Sequence, residues 1–214
     1  MSLPQFITVE GPIGVGKTSL ARLINARYGF HLLQEIVEEN PFLGRFYDNI
    51  DEWSFQTEMF FLCNRYKQLN DLSKQYLQRD QSVVSDYNIF KNTIFARRTL
   101  SAGELDKYLS IYDILTADMP QASLIVHLTA SVETIMGRIA KRNRSIEQNM
   151  DPNYIRNLRD DYEVFLERYS VEHPDVPILV LDGDKLDFVE RPEDLDFIFQ
   201  QIDAILKKEQ PTHA

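Results

Sequence analysis

A single cysteine, Cys63, is all the chain has, so no disulfide can close within it, which suits a reducing compartment. Cys63 falls in an apolar helical stretch, where a small buried side chain is expected rather than a reactive thiol. No apolar run approaches the ~20 residues of a membrane span. The opening residues, MSLPQFITVE, lack the charged and apolar segments of a secretory signal. Basic residues are scarce too: 23 Lys and Arg stand against 33 Asp and Glu, a formal net charge of −10. That balance argues against a nucleic-acid partner, because phosphate backbones are held by clustered cations. It still admits one polyanionic ligand where a few cations converge. There is no internal repeat and no low-complexity tract, and the tail KKEQPTHA reads as a frayed end. The expectation is a cytoplasmic, membrane-free protein. Its 214 residues, 43% hydrophobic, suffice for one core, so a single domain over 1–214 is expected.

What is present is an alternation. Five short apolar runs read as buried strands: Phe6 to Glu10, His31 to Gln34, Ser82 to Asp86, Ser123 to Leu128 and Pro177 to Leu181. Longer segments of helical period separate them, so a parallel sheet covered on both faces is expected, a three-layer α/β domain. Ligands of such sheets bind beyond the carboxyl ends of the strands. The longest helical run, roughly Glu52 to Leu77, carries a stripe of aromatic and aliphatic residues that predicts core or subunit interface.

Gly11-Pro12-Ile13-Gly14-Val15-Gly16-Lys17-Thr18 matches G-x-x-x-x-G-K-[ST] between the strand FITVE and a helix opening at Ser19. Glycines there let backbone N–H groups and a helix N-terminus converge on one anion. Lys17 adds a cation for the β- and γ-phosphates, and the Thr18 hydroxyl suits Mg²⁺. A nucleoside triphosphate with Mg²⁺ is expected, although switches, ATPases and small-molecule kinases share this loop. Glu35, just past the second strand, is placed to accept a hydroxyl proton as an oxygen attacks the γ-phosphate. Glu38 and Glu39 nearby leave a plain surface carboxylate as the competing reading.

The order of the blocks GPIGVGKTSL, QEIVEENPFLGRFY, EWSFQTEMFFLCNRYKQ, VVSDYNIFKN and RIAKRNR resembles the deoxynucleoside kinases, bacterial deoxyguanosine kinases above all. The resemblance runs from Phe6 to about Asp184. It implies a three-layer P-loop kinase fold, a five-stranded parallel sheet flanked by helices with an arginine-bearing lid at about 142–151. It also implies ATP and Mg²⁺ as cofactors, a deoxynucleoside substrate, and a homodimer. Glu35 becomes the expected general base toward the 5′-hydroxyl.

Within that family a side chain five residues after the helix tryptophan meets the base edge, which from Trp53 is Glu58. Relatives taking adenine or cytosine usually have glutamine, with one donor and one acceptor. Guanine presents two adjacent donors, and an ionised carboxylate accepts both. Arg65, the family's second base contact, suits guanine O6 and N7. Tyr47 matches a contact to the sugar 3′-hydroxyl, and Phe61 and Phe90 are candidate walls. An ion pair between helices is the competing reading for Glu58 and Arg65.

Asp86 stands where the family carries an acidic-Arg-Ser triplet serving Mg²⁺ and the phosphates. Here the sequence departs: Tyr87 replaces the arginine and Asn88 the serine, leaving Arg65, Lys91 or a lid arginine to compensate. Asn92 then takes the base side; a second register would put Asp86 there instead. Arg138, Arg142 and Arg144 resemble the lid cations that clamp the γ-phosphoryl, with a solvated basic helix end as the alternative. Glu147 matches a lid contact to the 3′-hydroxyl, and VLDGDKLDFVERPEDL resembles the donor-base loop. Two rivals stay open beside a deoxyadenosine or broad acceptor. A nucleoside monophosphate kinase would want an extra arginine at Tyr87. A nucleotide-dependent regulator would want a D-x-x-G sensor, which no strand end carries.

Overall fold

A computed structural model describes residues 3–35, 40–144, 147 and 150–208, the side chains of Tyr47 and Lys208 excepted. Five strands, β1 (Phe6–Glu10), β2 (His31–Leu33), β3 (Val83–Ser85), β4 (Leu124–Thr129) and β5 (Ile178–Asp182), form one sheet in the order β2-β3-β1-β4-β5. Every pairing is parallel. All five expected runs are therefore strands, with ends shifted by a residue or two.

Parallel strands need crossovers that cover the sheet. The crossovers hold α1 (Lys17–Tyr28), α2 (Leu43–Asp48), α3 (Ile50–Gln75), α4 (Lys91–Thr99), α5 (Ala102–Thr116), α6 (Val132–Arg142) and α7 (Pro152–Glu172), and α8 (Pro192–Lys208) follows the last strand. Alternation along β4 shows how two layers arise. Leu124, Val126 and Leu128 pack with α1, α6 and α8. Ile125 turns to the other face, among Leu69 and Leu72 of α3, Ile94 of α4 and Leu158 of α7. A one-residue slip of this strand would exchange the two sets.

On α3 the buried positions are 54, 57, 58, 62, 65, 69 and 72, a stripe of helical period. Its last two positions are Leu69 and Leu72; before them it mixes Ser54, Glu58 and Arg65 with Leu62, so one stripe serves both pocket and core. The helix starts at Ile50 because the Asn49 side chain accepts from the Glu52 N–H at 3.4 Å. Cys63 falls off this stripe and is exposed, contrary to its expected burial: Leu62 and Arg65 take the inward positions beside it. Phe90 is likewise no pocket wall, being buried against Phe165 at a ring distance of 4.9 Å. Among the described residues no helix is long and apolar enough to cross a membrane.

Candidate active site

The loop after β1 can form only with glycine. Gly11 has φ 144° and a Cβ there would lie 2.2 Å from the Leu128 carbonyl oxygen. Gly14 has φ 81° and is crowded by Ile139. The turn delivers Lys17 to the start of α1, earlier than the expected opening at Ser19. The Lys17 ammonium donates to the carbonyls of Gly11 and Pro12, each at 2.9 Å. Burial, then repulsion from Lys91, lowers its pKa to about 8.

Two cavities meet at this loop. The first, about 850 Å³ counted to its open mouth, is bounded by Glu35, Glu58, Arg65, Asp86 and Lys91. The second, about 1330 Å³ on the same measure, runs over Val15, Gly16 and Ser19 to Arg138 and the 187–190 segment. Gly14, Lys17, Thr18, Arg142 and Arg144 line both.

Glu35, past β2, is held from two sides. Arg65 donates to Oε1 through Nε at 2.9 Å and also through Nη2, and Lys91 Nζ meets Oε2 at 2.5 Å. Burial alone would raise this carboxyl, but Arg65 and Lys91 outweigh it and hold the pKa well below the usual range. Arg65 also donates to Asn92 Oδ1 and lies over the rings of Phe61 and Tyr87. The buried Asn92 amide nitrogen has no partner among the described residues.

Glu58 is 2% exposed. The Thr99 hydroxyl, shared between the Phe95 carbonyl at 3.0 Å and Glu58 Oε1 at 3.3 Å, is the one donor on this carboxyl among the described residues, and Oε2 has no partner among them. Burial pushes its pKa up to about 7, against the pull of Arg65. Thr18 donates to Asp86 Oδ2, and the buried Asp86 Oδ1 has no partner among the described residues. Burial raises Asp86 too, opposed by Lys17 and Lys91. A hydroxyl and an unsatisfied carboxylate oxygen are hard donors that fit Mg²⁺.

The arginines divide. Arg138 donates to the carbonyl of Val15 at 2.7 Å and of Gly183 at 2.8 Å, joining the phosphate loop to the loop after β5. Arg142 pairs with Glu147, Nε to Oε2 at 3.1 Å, and Arg144 lies 3.9 Å from the same carboxylate. The side chain of Tyr47, on α2, lies outside the described residues, as does most of the 145–149 stretch of the lid.

The deoxynucleoside kinase family model matches residues 7–207. The chain belongs to this family. It is 47% identical to the deoxyguanosine kinase of Bacillus subtilis over 97% of its own length and 99% of that protein's. It is 32% identical to the deoxyguanosine kinase of Lactobacillus johnsonii, covering 94% and 92% of the two chains. Among solved structures, a deoxyadenosine kinase from M. mycoides with dCMP and dCDP bound superposes with a TM-score of 0.79 at 25% identity, covering 94% of this chain and all of the other. The protein is a deoxynucleoside kinase.

Two residues of this kinase escape a reading of sequence alone. Glu10, fully buried at the end of β1, accepts from the Asn88 N–H, the Tyr162 hydroxyl at 3.0 Å and the Gly11 N–H at 3.2 Å. It ties the phosphate loop to the loop after β3. The only trace of this is a charge closing an apolar strand. Thr99, which anchors Glu58, is a helix-end threonine with no signal at all.

Proposed function

We propose that this enzyme transfers the γ-phosphate of ATP to the 5′-hydroxyl of deoxyguanosine, in salvage of the nucleoside. What carries the reading is the pair of cavities meeting at Lys17 and Thr18, with Glu35 and Glu58 both in the one opposite the donor-base loop. Two relatives of the stated identity are deoxyguanosine kinases.

ATP lies over Gly11, Pro12, Ile13, Gly14, Val15, Gly16, Lys17, Thr18 and Ser19, its base toward the 187–190 segment. Guanine enters edge-on to Glu58. The unpartnered Oε2 and the Thr99-held Oε1 accept its N1–H and exocyclic amine. Arg65 keeps two of its five donors beyond those already engaged with Glu35 and Asn92, enough for O6 and N7. The Asn92 amide supports that edge, and Tyr47 and Glu147 serve the 3′-hydroxyl.

The hydroxyl oxygen forms its bond to the γ-phosphorus as the bond to the β–γ bridging oxygen breaks, its electron pair leaving with ADP. The hydroxyl proton passes to Glu35. A carboxylate held strongly ionised is a weak base, which suffices because phosphoryl transfer runs through a loose transition state that depends mainly on positioning. Lys17, Arg142 and Arg144 surround the moving charge, and Arg138 shapes the donor cradle behind them. Thr18 and Asp86 would hold Mg²⁺, which neutralises phosphate charge when bound. The 142–151 segment closes over both substrates and excludes water. The chain acts as one domain, as a homodimer, in the cytoplasm.

Initial rates with ATP, Mg²⁺ and each of the four deoxynucleosides, beside deoxyguanosine monophosphate, test this. Deoxyguanosine should lead in kcat/KM by about tenfold or more, and the monophosphate should not react. A faster monophosphate reaction would overturn the proposal in favour of a nucleoside monophosphate kinase.

A further inference from the structure

Lys91 opens α4 and is 5% exposed, a rare setting for a lysine unless it is paired. Among the described residues its ammonium makes one hydrogen bond, to Glu35 at 2.5 Å, and lies over the Phe95 ring at 5.7 Å, so two of its three protons have no hydrogen-bond acceptor. It bounds the acceptor cavity together with Lys17, Thr18 and Asp86. Two ammonium groups lining one cavity repel each other, and an anion between them relieves that repulsion. Lys17 meanwhile folds back on two carbonyls of its own loop.

Two other cations of this cavity are already engaged among the described residues. Arg65 is bonded to Glu35 and Asn92 and lies over Phe61 and Tyr87. Arg142 is paired with Glu147. The residue after Asp86 is Tyr87, fully buried, its hydroxyl donating to Gln68 at 2.5 Å.

We infer that Lys91 is a catalytic residue: it holds Glu35 aimed at the acceptor hydroxyl and gives its remaining protons to the phosphoryl group as that group passes between Lys91 and Lys17. The step rests on the transfer to the hydroxyl at Glu35 argued above. It adds no bond to that chemistry; Lys91 stays protonated throughout and serves as a fixed charge where negative charge moves.

The test compares Lys91→Met, Lys91→Gln and Lys91→Arg with Glu35→Gln, measuring kcat, both KM values and thermal unfolding. Lys91→Met should lose kcat by about 100-fold or more with both KM values within about threefold, as when a transition-state donor is removed. Lys91→Gln, which keeps a donor to Glu35 without the charge, should lose kcat similarly and serves if the methionine variant does not fold. Lys91→Arg should recover at least about tenfold of the loss, because it restores the cation. A folded neutral variant that keeps kcat within threefold would overturn the inference. So would KM values rising in step with the fall in kcat, or an arginine variant no better than methionine. Full activity in Glu35→Gln would instead sink the proposed proton acceptor, so the two failures are distinguishable.

Discussion

The Thr99 hydroxyl lies 3.3 Å from one oxygen of Glu58, and among the described residues the other, also buried, has nothing to accept from. A carboxyl fixed this way presents a two-acceptor edge when ionised. Glu58→Gln replaces one acceptor with a donor, which opposes guanine N1–H and suits adenine N1. The kcat/KM for deoxyguanosine should fall about tenfold or more, the scale of one buried mispaired group. The deoxyadenosine value should rise relative to it. Equal ratios in mutant and wild type would contradict this.

The same carboxyl makes base choice depend on pH. Burial raises Glu58 to about 7, while Arg65 on α3, Thr99 and Lys91 on α4 oppose the rise and Glu35 adds to it; the Tyr108 hydroxyl of α5 also senses its charge. Below that value Glu58 is a neutral acid, one donor and one acceptor, matching adenine. Above it the carboxylate matches guanine. The deoxyguanosine-to-deoxyadenosine ratio of kcat/KM should therefore rise between pH 6 and 8, and in Glu58→Gln it should stay flat. Stability moves oppositely: the raised carboxyl contributes stability below its unfolded value of 4.5, and this is lost as pH rises through about 7.

Arg138 spends its guanidinium on the Val15 and Gly183 carbonyls. Arg138→Met should loosen the donor cradle and raise KM for ATP by about tenfold, the scale of one charge-assisted hydrogen bond. KM for the nucleoside should change little. Steady-state kinetics with each substrate varied in turn would show the asymmetry.

Gly11→Ala and Gly137→Ala should diverge in thermal unfolding. At Gly11 the added carbon meets a backbone oxygen at 2.2 Å in a left-handed conformation, so a loss of about 3 kcal/mol or more is expected. Gly137 lies within α6 with nothing within 4 Å, where alanine should stabilise by about 0.5–1 kcal/mol.

The five strands and the phosphate loop were legible because buried parallel strands read as unbroken apolar runs such as LIVHL and because the loop's glycines answer one steric demand. The stripe of α3 was legible in position but mixed in purpose: its period marks Glu58 and Arg65 as inward-facing without saying that Leu69 is core and Glu58 pocket. Cys63 shows the limit from the other side, since an apolar neighbourhood in sequence did not fix which way one helix position points. The division among Arg138, Arg142 and Arg144 was hidden, because which carbonyls or carboxylates a guanidinium meets depends on loops far along the chain, at Val15 and Gly183. Lys91 was one name among three for the same reason. Its ammonium reaches Glu35 across 56 positions of sequence, a distance that only the folded sheet edge closes.

The most direct measurement is a crystal structure of the enzyme with deoxyguanosine bound. The account predicts guanine N1 and the exocyclic nitrogen within hydrogen-bond distance of the two Glu58 oxygens, and the 5′-oxygen on Glu35. A base seated away from Glu58, or a 5′-oxygen remote from Glu35, would contradict it.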